Sequence, residues 1–360
     1  MKYTLSDICE YAKGKIDVAT LNENTYISTE NMMSNKAGIT STSSLPTVTQ
    51  TQSFIAGDVL VSNIRPYFKK IWFAEFYGGC SNDVLVFRTK DGVNKRFLYY
   101  VLAEDKFFDY VMATSKGTKM PRGDKTAIMK YEVPDFTHEE QEKIAGILGA
   151  IDDKIALNAK INENLFHQVT AYFHHCFDAY EEVGESIVLL GDVAQFKYGV
   201  TPKKDRLGNG KYLAFSGYQV VGAYPEKMYS IPQLIIVARG VGGCGDIKYT
   251  PSNCYLTNLS IAILTENTAM EDYLFHYLRL HDTKVMNTGS AQPQITVSTL
   301  EKYRLPLPPQ KLLEAFSVFI QPFKSLYRKN MKELKQLELL RDTLLPQLMS
   351  GELDVSDLDL

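Results

Sequence analysis

Several loop-like runs concentrate groups that can hold a phosphate backbone or read a base edge. SNIRPYFKKIW sets Asn63, Arg65, Tyr67, Lys69 and Lys70 directly after a strand-like stretch, and TSKGTKMPRGDK sets Lys116, Lys119, Arg122 and Lys125 on a glycine–proline loop. TPKKDRLGNGK adds Lys203, Lys204, Arg206 and Lys211, QLIIVARG carries Arg239 near its end, and NTGSAQPQIT supplies Gln292 and Gln294. Arg and Lys can pair with guanine edges and Gln with adenine, while Lys and loop amides hold phosphates. The same residue types also make ordinary solvated loops. The clusters, rather than any single side chain, point to nucleic acid.

Other chemistry finds little support. GVGGCG at 240–245 matches GxGxxG and follows an apolar strand, but DIKYTPSNCYLT after it is not helical. No helix N-terminus is then available for a pyrophosphate, and a glycine-rich turn at a sheet edge is the better reading. The chain contains no GxxxxGK[ST], HExxH or GxSxG. His174, His175 and Cys176 lack a second ligand group at metal-binding spacing. Cys9, Cys80, Cys176, Cys244 and Cys254 are odd in number and scattered, which fits a reducing cytoplasm better than a disulfide framework. The N-terminal MKYTLSDICEYAKGKID has no apolar core region and no 18-residue apolar run occurs. A soluble, cytoplasmic, non-catalytic chain without metal or cofactor of its own is expected.

Net charge is −3, but it is divided unevenly. Residues 1–137 hold 17 Lys and Arg against 15 Asp and Glu, and residues 184–308 hold 12 against 10. Residues 138–183 hold 3 against 9, and 309–360 hold 7 against 8. Two mildly basic globular segments therefore alternate with two acidic ones, a balance compatible with local DNA-binding patches.

The acidic segments are two copies of one element. Shifted by 172 positions, Ile144 meets Phe316, Leu148 meets Ile320, Ile151 meets Phe323, Ile155 meets Tyr327 and Leu165 meets Leu337. The same shift superposes Gly117 on Gly289, Pro121 on Pro293 and Pro134 on Pro306. A register unbroken over about fifty residues is an internal duplication. Apolar positions step by 4, 3, 4, a heptad seam. Its a positions are Ile144, Ile151, Asn158, Leu165 and Tyr172 in one copy, and Phe316, Phe323, Asn330, Leu337 and Leu344 in the other. Arg341 falls at d and is expected to fray the seam. Each copy predicts a helix of roughly 38 residues, about 57 Å long, too long to bury its stripe in a small domain. The two are predicted to pair antiparallel, with the equivalent residues Asn158 and Asn330 hydrogen-bonded to set the register.

The globular segments repeat as well. DVLVSNI, KIWFAEF and DVLVFRT read as strands and FLYYVLAEDKFFDYVM as one helix. LLGDVAQF echoes TLSDICEY at an offset of 185, while QLIIVARG echoes GDVLVSNI, TNLSIAIL echoes SNDVLVFR and YLFHYLRL echoes FLYYVLAE at 176. The order is globular (1–137), long helix and linker (138–183), globular (184–308), long helix and tail (309–360).

With that layout the chain resembles the specificity (S) subunits of type I restriction-modification systems. TGSAQPQITVSTLEKYRLPLPP resembles the family's passage from a target-recognition domain into its conserved helix. EEQEKIAGILGAIDDKI resembles the start of the central helix, and LELLRDTLLPQLMSGELDV the usual ending. Met120 stands where the second copy has Gln292, and PPQKLLEAF lacks the EEQ of the first. The resemblance implies an α+β fold: two mixed α/β target-recognition domains separated by two long antiparallel helices forming a coiled coil, with a pseudo-twofold internal repeat. It further implies that each domain reads half of a bipartite site on double-stranded DNA, with the helices as spacer and dock for two methyltransferase subunits. Restriction subunits would join the same assembly. S-adenosylmethionine, ATP and Mg are expected on those partners and none on this chain. A non-DNA coiled-coil scaffold and the recognition part of a type IIG-like enzyme stay open as alternatives. The latter needs an NPPY-like methyltransferase motif, which the sequence lacks.

Overall fold

A computed structural model describes residues 3–183, 186–240, 243–288 and 292–355. It divides into two compact units, Met1–Ala159 with Met331–Leu360, and Lys160–Asn330. Each unit therefore takes one globular segment and part of both long helices, His138–Val183 and Gln310–Ser350.

In the first unit, four antiparallel strands lie in the order Cys9–Tyr11, Val84–Thr89, Val59–Ser62, Ile71–Phe73. Val59–Ser62 is buried along its whole length, as a central strand covered on both faces must be. A second sheet orders Lys15–Asp17, Gln50–Phe54, Gly78–Cys80 and Tyr26–Ile27, the last pair parallel. The second unit repeats the first sheet as Gln195–Tyr198, Ser260–Leu264, Leu234–Val237, Ile247–Tyr249. Leu60 faces Val86 in one and Ile235 faces Ala262 in the other, so the hairpin strand corresponds at an offset of 175. That is one less than the sequence echo suggested, because a run of four apolar residues carries no period from which to read register.

The stretch predicted as one helix is two, Lys95–Ala103 and Asp105–Ala113, parted where Glu104 is extended (ψ 143°). The counterpart Thr268–Leu280 is continuous. Both begin on an asparagine whose side chain accepts from a first-turn amide, Asn94 from Phe97 and Asn267 from Met270.

The long helices hide their apolar stripe against both each other and the globular core. Ile144 and Leu148 of the first helix, and Leu345 and Leu348 of the second, enter a core with Leu5, Phe87, Phe97 and Phe107. In the second unit Phe173 and Phe177 join Leu313, Phe316 and Ile320 against Ile236, Ile261 and Tyr273. The helix segments run antiparallel in each unit. Asp152 pairs with Arg341 at 3.2 Å and Lys154 with Glu333 at 3.7 Å in the first, and Tyr172 stacks on Phe319 with ring centroids 3.7 Å apart in the second. Arg341 thus continues the seam as an ion pair instead of fraying it.

The predicted asparagine pair is corrected. Asn330 Nδ2 donates to Asn162 Oδ1 at 3.2 Å, one helical turn from the expected partner. Asn158 is buried with its side-chain N–H groups unpartnered among the described residues. Asn162 is a d position of the same seam, so the asparagine contact falls one turn along from the equivalent residue.

Each globular segment is tied to its long helix by charge, with opposite polarity in the two units. Arg96 makes a bidentate pair with Asp153 (2.7 and 3.0 Å), and the Tyr100 hydroxyl donates to Asp152 at 2.8 Å. In the second unit the domain supplies the acid. Asp272, 1% exposed, accepts from Lys324 and, at 2.8 Å, from Ser317 of the long helix. Asp272→Ala strands a shielded ammonium and is expected to cost about 3 kcal/mol. Arg96→Ala breaks a pair that solvent already screens and should cost under about 1 kcal/mol. Urea unfolding of the full chain compares the two; equal losses would contradict the burial argument.

Candidate nucleic-acid interface

In the first unit the hairpin loop 63–70 and the loop 116–125 before the long helix meet. They lie about fifty residues apart in sequence. Arg65 N donates to Pro121 O at 2.9 Å, Gly123 N donates to Asn63 O at 3.2 Å, and Ile64 bridges Arg122. Lys116 and Arg122 exchange both backbone hydrogen bonds at 2.9 Å, closing the second loop on itself around Gly117 (φ +92°). Gly123 is required at the junction, since a Cβ there would lie 2.8 Å from Asn63 Oδ1 and Val111 Cγ1.

The hairpin loop holds unusual backbone. Arg65 (φ +50°) and Lys69 (φ +51°) flank the turn Pro66–Phe68, and Asn35 (φ +57°) and Lys36 (φ +62°) lie against it. A left-handed non-glycine residue costs on the order of 1 kcal/mol. Hydrogen bonds from Asn35 N to Phe68 O (2.8 Å) and from Lys36 N to Lys69 O (2.9 Å) hold the conformation in place.

Loops 34–36, 63–70 and 116–125 together carry eight basic residues (Lys36, Arg65, Lys69, Lys70, Lys116, Lys119, Arg122, Lys125) and one acidic residue, Asp124. Some of these are already engaged. Lys36 and Lys69 share Asp105 at 2.8 and 2.9 Å, Arg122 pairs with Asp83 at 3.0 Å, and Lys116 with Asp124 at 2.6 Å. Partial burial pushes the Asp105 carboxyl up, but the two lysines outweigh it and hold it below its ordinary value. Lys116, then the first-turn amides, do the same for Asp124. Lys70 turns inward to donate to Thr29 O at 2.5 Å, and burial lowers its pKa. Among the described residues Arg65, Lys119 and Lys125 form no ion pair, and Tyr67 and Phe68 are exposed in the turn that Arg65 opens. The sequence reading missed Lys36, Phe68 and the carboxylates Asp83 and Asp105. Phe68 adjoins Tyr67, a signal available in the sequence, whereas nothing local marks Asp83 or Asp105.

The second unit repeats the frame with different residues. Arg239 bridges Gln294 as Ile64 bridges Arg122, Ile295 N donates to Ala238 O at 2.8 Å, and Thr288 N donates to Gln294 O at 2.9 Å. Gln292 is exposed on the same loop. The Tyr218 hydroxyl donates to Arg239 O at 2.7 Å, and its ring lies where a Cβ on Gly240 or Gly243 would stand. The glycine run therefore admits a tyrosine and leads into strand Ile247–Tyr249; Val241, Gly242 and Gly289 lie outside the described residues. The hairpin Tyr212–Phe215/Val220–Tyr224 turns at Tyr218. Arg206 lies over Tyr224 and pairs with Glu226 at 2.8 Å, and Lys211 lies over Tyr212. Lys203, Arg206 and Lys211 thus sit at the far end of that hairpin from Arg239 and Gln294, and the structure does not gather them into one cluster. His174, considered for a metal, pairs with Asp178 at 2.9 Å. No helix among the described residues is long and apolar enough to cross a membrane.

Comparison with known proteins follows the same duplication. The type I restriction modification DNA specificity domain matches residues 1–166 and again 184–339. The specificity subunit of the type I restriction enzyme MjaIX of Methanocaldococcus jannaschii is 25% identical over 310 residues, covering 75% of this chain and 71% of that one. The HindI specificity subunit of Haemophilus influenzae is 21% identical, with 98% and 99% covered. The S subunit of a type I restriction-modification system from M. genitalium shares the fold, with a TM-score of 0.63 over 97% of this chain and 96% of that one at 19% identity.

Gly123→Ala forces Asn63, Val111 and Ile128 apart at the loop junction. It is expected to destabilise by about 1–3 kcal/mol, as overpacking does, read as a lower urea midpoint. An unchanged midpoint would mean that the loops are not locked together there.

Proposed function

The chain belongs to the type I restriction modification DNA specificity family, and on that premise we propose that it is the sequence-reading subunit of a restriction-modification complex. Each unit reads one half of a two-part duplex site. The observation that carries this is the loop cluster of the first unit, where eight basic residues outnumber the three carboxylates paired with them, Asp83, Asp105 and Asp124, on a backbone that four inter-loop hydrogen bonds hold still. Such a surface suits a polyanion, and its fixed geometry suits reading one. Arg65, Lys119, Lys125 and the ion-paired Lys69, Lys116 and Arg122 are the contacts proposed there. Arg239, Gln292 and Gln294 occupy the matching place in the second unit.

Replacement of Arg122 by Gln294 in a common frame supports different sequences for the two half-sites, since Arg favours guanine and Gln adenine. The long helices, 46 and 41 residues, serve as spacer and as dock for methyltransferase subunits. The chemistry belongs to those partners, with S-adenosylmethionine on the methyltransferases and ATP and Mg on restriction subunits. This chain supplies the address.

Duplex binding by the full chain with its methyltransferase partner, measured across salt, tests the reading. Affinity is expected to fall linearly on a log–log plot, and Lys119→Ala to lower the slope by about one. Salt-independent binding, or none, would favour the protein-scaffold alternative.

A further inference from the structure

The loop that carries Arg65 and Lys69 also does something a phosphate contact does not need. Between these two residues it pushes two neighbouring aromatic rings into solvent, Tyr67 at 48% and Phe68 at 37% exposure. Their centroids are 4.7 Å apart, and the Lys70 ammonium lies 5.8 Å from the Phe68 ring. An exposed aromatic pair on a mobile loop would fold back onto apolar surface. Here the turn Pro66–Phe68 is bounded by left-handed residues and pinned on both sides, by Arg65 N to Pro121 O and by Asn35 N and Lys36 N to the carbonyls of Phe68 and Lys69. The shared carboxylate of Asp105 fixes Lys36 and Lys69 beneath it. Backbone strain, hydrogen bonds and ion pairs together hold two rings outward in one place.

The geometry points to Tyr67 and Phe68 as an aromatic wedge that enters the base stack at one step of the half-site read by the first unit. Resting on the proposed DNA reading, it adds how that half-site is deformed. The occupant is assigned by charge. The turn that presents the rings belongs to three joined loops that carry eight basic residues, and Asp83, Asp105 and Asp124 neutralise only part of that excess. An apolar protein partner gains nothing from this surround. A duplex gains phosphate neutralisation on either side of the opened step, and ring–base stacking offsets the cost of unstacking. The corresponding loop of the second unit, 238–246, carries four glycines and no aromatic residue of its own, and the ring that lies against it, Tyr218, is tied down by its hydroxyl to Arg239 O. One half-site should be opened and the other read without opening.

The test uses the full chain in complex with its methyltransferase partner, and a duplex carrying the motif that methylation mapping returns. Fluorescent analogues of adenine and guanine replace the purines of both half-sites one at a time. The parent is expected to brighten the analogue at one step that Tyr67→Ser/Phe68→Ser leaves dark. That variant should bind about tenfold more weakly with the salt slope unchanged, since no phosphate contact is lost. Both residues are exposed, so the fold should survive, and an unchanged urea midpoint checks it. Tight, salt-dependent binding with no brightening, or brightening that the variant keeps, overturns the wedge and leaves the DNA reading standing. Absence of salt-dependent binding by the parent overturns both.

Discussion

A helix of more than forty residues with one apolar face cannot satisfy that face alone, and the rest of this protein is arranged around that constraint. Each long helix is covered partly by the other and partly by the core of a globular segment, as Ile144 and Leu148 show in one unit and Phe316 and Ile320 in the other. The helix is therefore part of each domain's core as well as a connector. Within each unit the central strands and docking helix of the globular segment are held to the long-helix segments through buried apolar contacts and a charged tie. Recognition residues can then sit on loops while the scaffold beneath them stays fixed.

Duplication lets the two units be compared position by position. What persists is the frame: the antiparallel sheet, the helix capped by an asparagine side chain, and the main-chain bridge between the hairpin loop and the loop preceding the long helix. What changes is side chain. Arg122 gives way to Gln294, Ile64 to Arg239, and the Arg96–Asp153 tie is answered by Asp272–Lys324 with its sign reversed. The bridge between the loops is made of main-chain hydrogen bonds, so it tolerates the exchange of Ile64 for Arg239 and of Arg122 for Gln294.

The duplicated helices and the mixed α/β class were legible in the sequence because heptad spacing and strand-length apolar runs are local signals. Placement of Arg65 near Arg122 was not, since nothing local says that a loop at 63–70 closes on one at 116–125. The asparagine register failed for a related reason. Symmetry named Asn158 as the partner of Asn330, but the bond is made to Asn162, four residues on, a choice between neighbouring seam positions that heptad spacing does not decide. Basic clusters were visible as charge, yet their counter-ions Asp83 and Asp105 come from distant segments. Charge counting along the chain cannot tell which cations are already paired, nor that Lys203, Arg206 and Lys211 lie at the other end of a hairpin from Arg239 and Gln294.

Sequencing the methylome of cells that carry this chain and its methyltransferase subunit, against cells lacking only this chain, bears most directly on the central claim. The account predicts loss of N6-methyladenine at a single two-part motif with a fixed gap, the two parts differing in sequence. An unchanged methylome, with the methyltransferase subunit shown to be active, would contradict it.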